Sequence, residues 1–235
     1  MVTIDETTAL RALLRGRAPV TTSTAADRIA DFVREMVVEG QLQPGERVPE
    51  RALCEELEVS RNTLREAVSH LVTERILNRS PHRGVFVSRP DADTVREVYE
   101  ARRVVETGAL LLREQYRTER IRALASAVEE GKAGAQRRDW ALLANANQHF
   151  HRALTGLAEN KRLNQQMNLL LAEMRLIFHQ MPDSQSFHEP YLQKNISIYE
   201  LIKKGDRTAA SVALSRYLDD ARDEVLAAYA ARPDN

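Results

Sequence analysis

Residues 59–87, VSRNTLREAVSHLVTERILNRSPHRGVFV, decide the fold. Ser60 is a strong helix N-cap, and Leu64, Ala67, Val68, Leu71 and Val72 recur behind it at helical spacing, so the spacing predicts a helix from Arg61 toward Ile76. Arg61, Asn62, Arg65 and Ser69 fall on the other faces of that helix, which makes its outward side polar and cationic. Leu77 to Val87 reads as two short strands around SPHRG, with Pro81 and Gly84 supplying the turn chemistry.

Upstream, Leu53, Cys54 and Leu57 line one face of a short helix that starts near Glu50 and ends near Val59. Pro44-Gly45 makes a turn into a short strand at Arg47-Val48-Pro49. Before it, Ala26, Ile29, Ala30, Phe32, Val33, Met36 and Val37 form the apolar stripe of a first helix, stopped by Gly40. Residues 23–89 thus read as a winged helix-turn-helix, and residues 1–22 as an extension, either a short amphipathic helix through Leu10, Leu13 and Leu14 or a frayed end.

Net charge is zero, with Lys+Arg and Asp+Glu both at 34, so any polyanion-binding patch has to be local. It is: residues 60–90 hold six arginines against two glutamates, whereas residues 23–59 hold four against nine acids. A helix that reads a DNA major groove needs short polar side chains near phosphates and Arg or Asn within reach of base edges. Ser60 and Thr63 suit phosphate; Asn62 suits a base edge; Arg61 and Arg65, one turn apart, project from one side and either can pair bidentately with guanine. Arg51 sits beside the backbone at the start of the preceding helix, and His82, Arg83 and Gly84 form a wing tip able to enter the minor groove.

The run PGERVPERALCEELEVSRNTLREAVSHLVTERIL followed by HRGVFV resembles the N-terminal domain of GntR-type regulators. The resemblance implies that Arg51, Arg61, Arg65 and the wing around Gly84 contact operator DNA, with Pro81 and His82 replacing a simpler glycine-rich tip.

Beyond the Ser88-Arg89-Pro90-Asp91 linker, residues 90–235 read as an all-α bundle, with breaks near Thr118, Asp139, Asn160, a loop from Met181 to Pro190, and Gly205. YEARRVVETGALLL, NANQHFHRALTGLAEN and the amphipathic last helix are similar to the FadR-like branch of the same family. That branch implies a ligand-sensing, dimerising domain, in many members with a divalent metal held by an Asp, a His one turn later and a His from each of two later helices. Here those positions are Asn147, His151, Asn195 and Tyr217, and since amide and phenol groups are poor ligands for zinc or nickel, no metal and no other cofactor is expected. The four side chains instead form a polar pocket, with Arg102 placed by the resemblance to receive an anionic group. Two plainer readings stand beside this: His151 stacked in a core, and Arg102 paired with Glu106 across one turn. His149, His179 and His188 do not fall at the matching positions, and His149 faces away from His151.

The single cysteine, Cys54, excludes an intrachain disulfide, and no stretch approaches the roughly 20 apolar residues of a spanning helix, so a cytoplasmic protein is expected. No nucleophile–base pair, phosphate loop or paired acids point to an enzyme. The expectation is a ligand-responsive repressor, homodimeric, binding double-stranded operator DNA and a small organic acid or related metabolite. Two alternatives remain: a regulator holding a metal through His151 and water, and a helical enzyme with an appended DNA-binding module.

Overall fold

The computed structural model describes residues 24–38, 41–181 and 184–231, and these divide into two compact units between Arg89 and Pro90. The expected N-terminal extension and the stop at Gly40 lie outside the described residues. In the first unit, helices α1 (Ala25–Val38), α2 (Glu50–Glu56) and α3 (Arg61–Thr73) precede strands β1 (Leu77–Ser80) and β2 (Gly84–Val87). This is a winged helix-turn-helix. Its core is the apolar stripe of α1, buried throughout, against Leu53 of α2 and Leu64, Ala67, Val68 and Leu71 of α3, whereas Cys54, Leu57 and Val72 are half-buried.

Ser60 caps α3 as its sequence position requires, its Oγ accepting the Thr63 N–H at 3.1 Å. The helix ends at Thr73, earlier than the spacing suggests, because Arg75 turns left-handed at φ 60°. The Arg75 N–H then donates to the Val72 carbonyl at 3.0 Å and the Ile76 N–H to that of Leu71 at 3.0 Å. This Schellman closure satisfies the last carbonyls and sends Ile76 into the core. Arg34 of α1 ties the same corner, with Nε and Nη2 donating to Glu74 at 3.1 and 2.6 Å.

The antiparallel hairpin runs from Leu77 opposite Val87 to Ser80 opposite Gly84. The strand expected at Arg47-Val48-Pro49 is a single bridge from Arg47 to Phe86, supported by hydrogen bonds from Val87 N–H to the Glu46 carbonyl (2.8 Å) and Val48 N–H to the Val85 carbonyl (2.9 Å). Pro49 limits it, having no N–H to extend the ladder.

The second unit is all helix among the described residues: α4 (Ala92–Leu112), α5 (Thr118–Arg137), α6 (Trp140–Gly156), α7 (Lys161–His179), α8 (Ser184–Lys203) and α9 (Arg207–Ala230). Asp91, Asp139, Asn160 and Asp206 cap α4, α6, α7 and α9 with their side-chain oxygens, which accounts for three of the breaks seen in the sequence. The loop expected from Met181 to Pro190 is wrong: α8 already begins at Ser184 and carries Pro190 in its interior. The proline forfeits one backbone hydrogen bond, but Phe187, His188 and Tyr191 around it are buried against the bundle, and this packing outweighs the local signal. In α9, Leu214, Tyr217, Leu218, Ala221 and Val225 are buried, the inward face of an amphipathic helix, whereas Val212 is 48 % exposed.

Helices α5 and α6 pack closely where α5 has no side chains. A Cβ on Gly134 would lie 2.8 Å from the Leu143 nitrogen and 3.2 Å from the Asp139 carbonyl oxygen, both backbone atoms. Gly134→Ala should therefore destabilise the bundle by about 1–3 kcal/mol despite alanine's better helix propensity, read as a lowered denaturation midpoint with unchanged slope.

Candidate nucleic-acid interface and buried polar cluster

The start of α3 lies beside a cleft of about 860 Å³ whose lining includes Arg47, Arg51, Arg61 and Arg65 together with Glu50 and Glu55. Arg61, Asn62 and Arg65 are exposed, and among the described residues no carboxylate pairs with Arg61 or Arg65. Arg51 is tied across one turn to Glu55 at 2.8 Å, which orders it along α2. The Ser60 and Thr63 hydroxyls lie 2.8 Å apart, so the two groups expected at phosphate also bond one another.

At the wing, His82 takes a left-handed φ of 62° and Gly84 a φ of 110°. Arg83 is exposed and its guanidinium stands 5.6 Å from the centroid of the Phe86 ring. Gly84 has a second role that its turn position does not reveal. A Cβ there would meet Arg47 Nε at 3.0 Å, so the absent side chain leaves the path along which Arg47 crosses the wing. Arg47 was not singled out in the sequence. The signal was its place two residues after the Pro44-Gly45 turn, but only the pairing of residues 46–48 with β2 sets it facing the same cleft as Arg61 and Arg65.

In the bundle, Arg102, Asn147, His151, Asn195 and Tyr217 are all buried and all but the arginine belong to one contiguous chain of contacts that Arg102 joins through Glu106. Arg102 Nε donates to Glu106 Oε1 at 2.9 Å, and Glu106 Oε2 lies 2.6 Å from His151 Nδ1. His151 Nε2 is 3.0 Å from the Tyr217 hydroxyl, which is 2.9 Å from Asn147 Oδ1, and that oxygen accepts from Asn195 Nδ2 at 2.8 Å. The i,i+4 pair weighed in the sequence is thus present, but Glu106 is also the link to His151. Its second contact spans 45 residues and leaves no local trace in the sequence.

Burial opposes charge on Glu106, yet His151 and Arg102 hold its carboxyl below the usual range. Burial drives His151 the other way, below the ordinary imidazole value, Glu106 opposing and Arg102 adding to the shift. A neutral His151 that donates from Nδ1 to the carboxylate has Nε2 free to accept. Tyr217 then faces two acceptors, Nε2 and Asn147 Oδ1, with a single hydroxyl proton. His188, set aside in the sequence because it does not fall at the matching positions, belongs to the same interior. It is 4 % exposed and lines, with Asn147, Asn195, Gly131 and Leu192, a cavity of about 10 Å³, room for one water. His149 pairs with Glu130 at the surface, and His179 ends α7.

These residues do not fit a divalent metal. His151 Nε2 already faces Tyr217, burial raises the Tyr217 hydroxyl far above the range in which it would ionise to a ligand, and Asn147 Oδ1 accepts from Asn195. Among the described residues no three His, Cys, Asp or Glu side chains gather as a metal site, and no helix is long and apolar enough to cross a membrane.

Residues 25–87 match the family of bacterial regulatory proteins named gntR, and residues 97–220 match the FCD domain. The chain is 31 % identical over 185 residues to the Nta operon transcriptional regulator of Aminobacter aminovorans, covering 75 % of this chain and 84 % of that one. It is 26 % identical to the galactonate operon transcriptional repressor of Escherichia coli strain K12, covering 82 % of this chain and 93 % of that one. A crystal structure of a GntR transcriptional regulator from Rhodococcus sp. RHA1 is 36 % identical and superposes with a TM-score of 0.80 over 88 % of this chain and all of that one.

Two outcomes are expected. Arg102→Ala leaves the buried Glu106 charge without its guanidinium and should cost about 3–5 kcal/mol, measured by denaturation followed at Trp140, the one tryptophan and a bundle residue. His188 is pushed down to about 4, by burial first and then by the Arg175 guanidinium. An unfolded histidine titrates near 6.5, so below that pH the unfolded chain binds the extra proton and stability falls, by about 2 kcal/mol at pH 5 from this residue. His188→Gln should flatten the slope of stability against pH between 6.5 and 4; an unchanged slope would contradict the assignment.

Proposed function

The chain belongs to the gntR family of bacterial regulatory proteins with an FCD domain behind the DNA-binding unit, and on that premise we propose that it is a cytoplasmic repressor whose grip on operator DNA is set by a small organic acid held in the bundle. The observation that carries this reading is the exposed pair Arg61 and Arg65 on a capped helix, lacking carboxylate partners among the described residues and sharing one cleft with Arg47 and Arg51. Guanidinium groups without protein partners at a helix start are free to take phosphates and guanine edges. Phosphate binding falls to Arg47, Arg51, Ser60 and Thr63; base reading to Arg61, Asn62 and Arg65; and the wing tip His82-Arg83-Gly84 takes the minor groove.

The effector reading rests on the buried chain from Arg102 to Asn195. Its interior ends are incomplete: Arg102 Nη2 and Asn195 Oδ1 are buried with no hydrogen-bond partner. A ligand that satisfies them binds one conformation of the bundle better than another, and that difference in affinity is what shifts DNA binding. A repressor of the galactonate operon among the relatives is in keeping with an acid effector and with repression. Val104, Leu111 and Leu112 on α4 and Val212 on the adjoining α9 are 48–73 % exposed, apolar surface that supports a two-fold homodimer reading a symmetric operator.

Arg65→Ala should weaken operator binding and flatten its sequence preference by about 1–3 kcal/mol in discrimination, while the sedimentation of the protein stays as in the wild type. Arg47→Ala should weaken binding to all duplexes alike and reduce the dependence on salt by about one counterion. Titration of labelled duplexes at matched ionic strength separates the two, and unchanged affinity of the Arg65 variant would overturn the recognition helix.

A further inference from the structure

The chain leaves the first unit and enters the second over a very short span. On one side the Ser88 N–H donates to the Ile76 carbonyl at 2.9 Å, which ties the end of the hairpin to its own unit. On the other side the carbonyl of Pro90, a buried residue, accepts from Gln180 Nε2 at 3.0 Å. A single exposed residue, Arg89, stands between these two anchors. Proline fixes its own φ and confines the residue before it to extended backbone, so little torsional freedom is left at the crossing.

Gln180 is the C-cap of α7, and both N–H groups of its amide are used. One goes to Pro90 and the other to the hydroxyl of the buried Tyr229 at 3.1 Å, and that hydroxyl donates in turn to the Ile177 carbonyl at 3.3 Å. The residue after Pro90, Asp91, caps α4, its Oδ1 accepting the Thr94 N–H at 2.8 Å. The root of the linker is therefore one hydrogen-bonded junction shared by the start of α4 and the ends of α7 and α9. Two of these helices also carry the buried polar chain, Arg102 and Glu106 on α4 and Tyr217 on α9. Tyr217 lies about 18 Å before Tyr229 at the helical rise per residue, and the helix's own hydrogen bonds keep that length fixed, so whatever shifts Tyr217 along α9 shifts Tyr229 as well.

We infer that Gln180 is a positioning residue that reads the placement of α9 at Tyr229 and passes it to the carbonyl of Pro90, and so to the linker. The inference rests on the ligand-responsive reading above and names the route by which the bundle reaches the DNA-binding unit, which neither the polar chain nor the family matches supply. Coupling between two sites is reciprocal, so a duplex that holds the first unit is felt at the same junction.

The test therefore needs DNA and no effector. Hydrogen exchange of the full-length protein is followed with and without a duplex of mixed sequence at low ionic strength. In the wild type the duplex should slow exchange at least threefold in residues 174–181 and 226–231, the ends of α7 and α9, as well as in α3. Gln180→Met keeps the length of the side chain without a donor, and Tyr229→Phe removes one hydroxyl. In both variants duplex affinity and the protection of α3 should stay within twofold of the wild type, while the response of the two helix ends falls by more than half. Denaturation followed at Trp140 checks that each variant is folded, and if Gln180→Met is not, Tyr229→Phe decides alone. Duplex retained by the wild type with no response at the helix ends would overturn the route and leave the DNA-binding reading standing. An undiminished response in the folded variants would overturn it too. If the wild type retains no duplex, the regulator reading falls and this inference with it.

Discussion

A carboxylate with no exposed surface governs the second half of this molecule. Glu106 cannot stay ionised inside a helical bundle unless positive charge and hydrogen bonds replace the water it has lost, and Arg102 on one oxygen and His151 on the other do so. Because these partners come from α4 and α6, the ion cluster fixes how the two helices face each other. The remaining links to Tyr217 on α9 and Asn195 on α8 follow outward from it. Apolar packing around Phe150, Leu154, Tyr191 and Val225 closes the core on either side.

The DNA-binding unit obeys the opposite condition. There the arginines at the start of α3 face solvent with no carboxylate partner among the described residues, while Glu74 and Glu55 are engaged with Arg34 and Arg51. The bundle thus answers its buried Arg102 with Glu106, whereas Arg61 and Arg65 keep their charge open to solvent, which is how a molecule of zero net charge still offers a local cationic face.

Local chemistry made much of this legible. The α1 stripe, the Ser60 and Asp91 caps and the wing turn each depend on residues within a few positions, and sequence periodicity records such dependence directly. Asn147, His151, Asn195 and Tyr217 were found by resemblance and do converge. What stayed hidden was long-range or contrary to a local signal. Glu106 looked like no more than half of a pair across one helical turn because its bond to His151 spans 45 residues, and Arg47 needed its pairing with β2 to acquire a direction. Pro190 advertised a loop where tertiary packing keeps a helix, and His188, two residues before it, was set aside because it falls outside the positions that the resemblance supplies.

The four capping side chains at Asp91, Asp139, Asn160 and Asp206 carry an evolutionary consequence. Each fixes where its helix begins from the first turn, independently of what the bundle encloses. Inward positions can then be exchanged, imidazole for amide or phenol, without the helix starts moving along the chain. A bundle whose helix starts are set locally can vary its polar interior while its connections stay where they are.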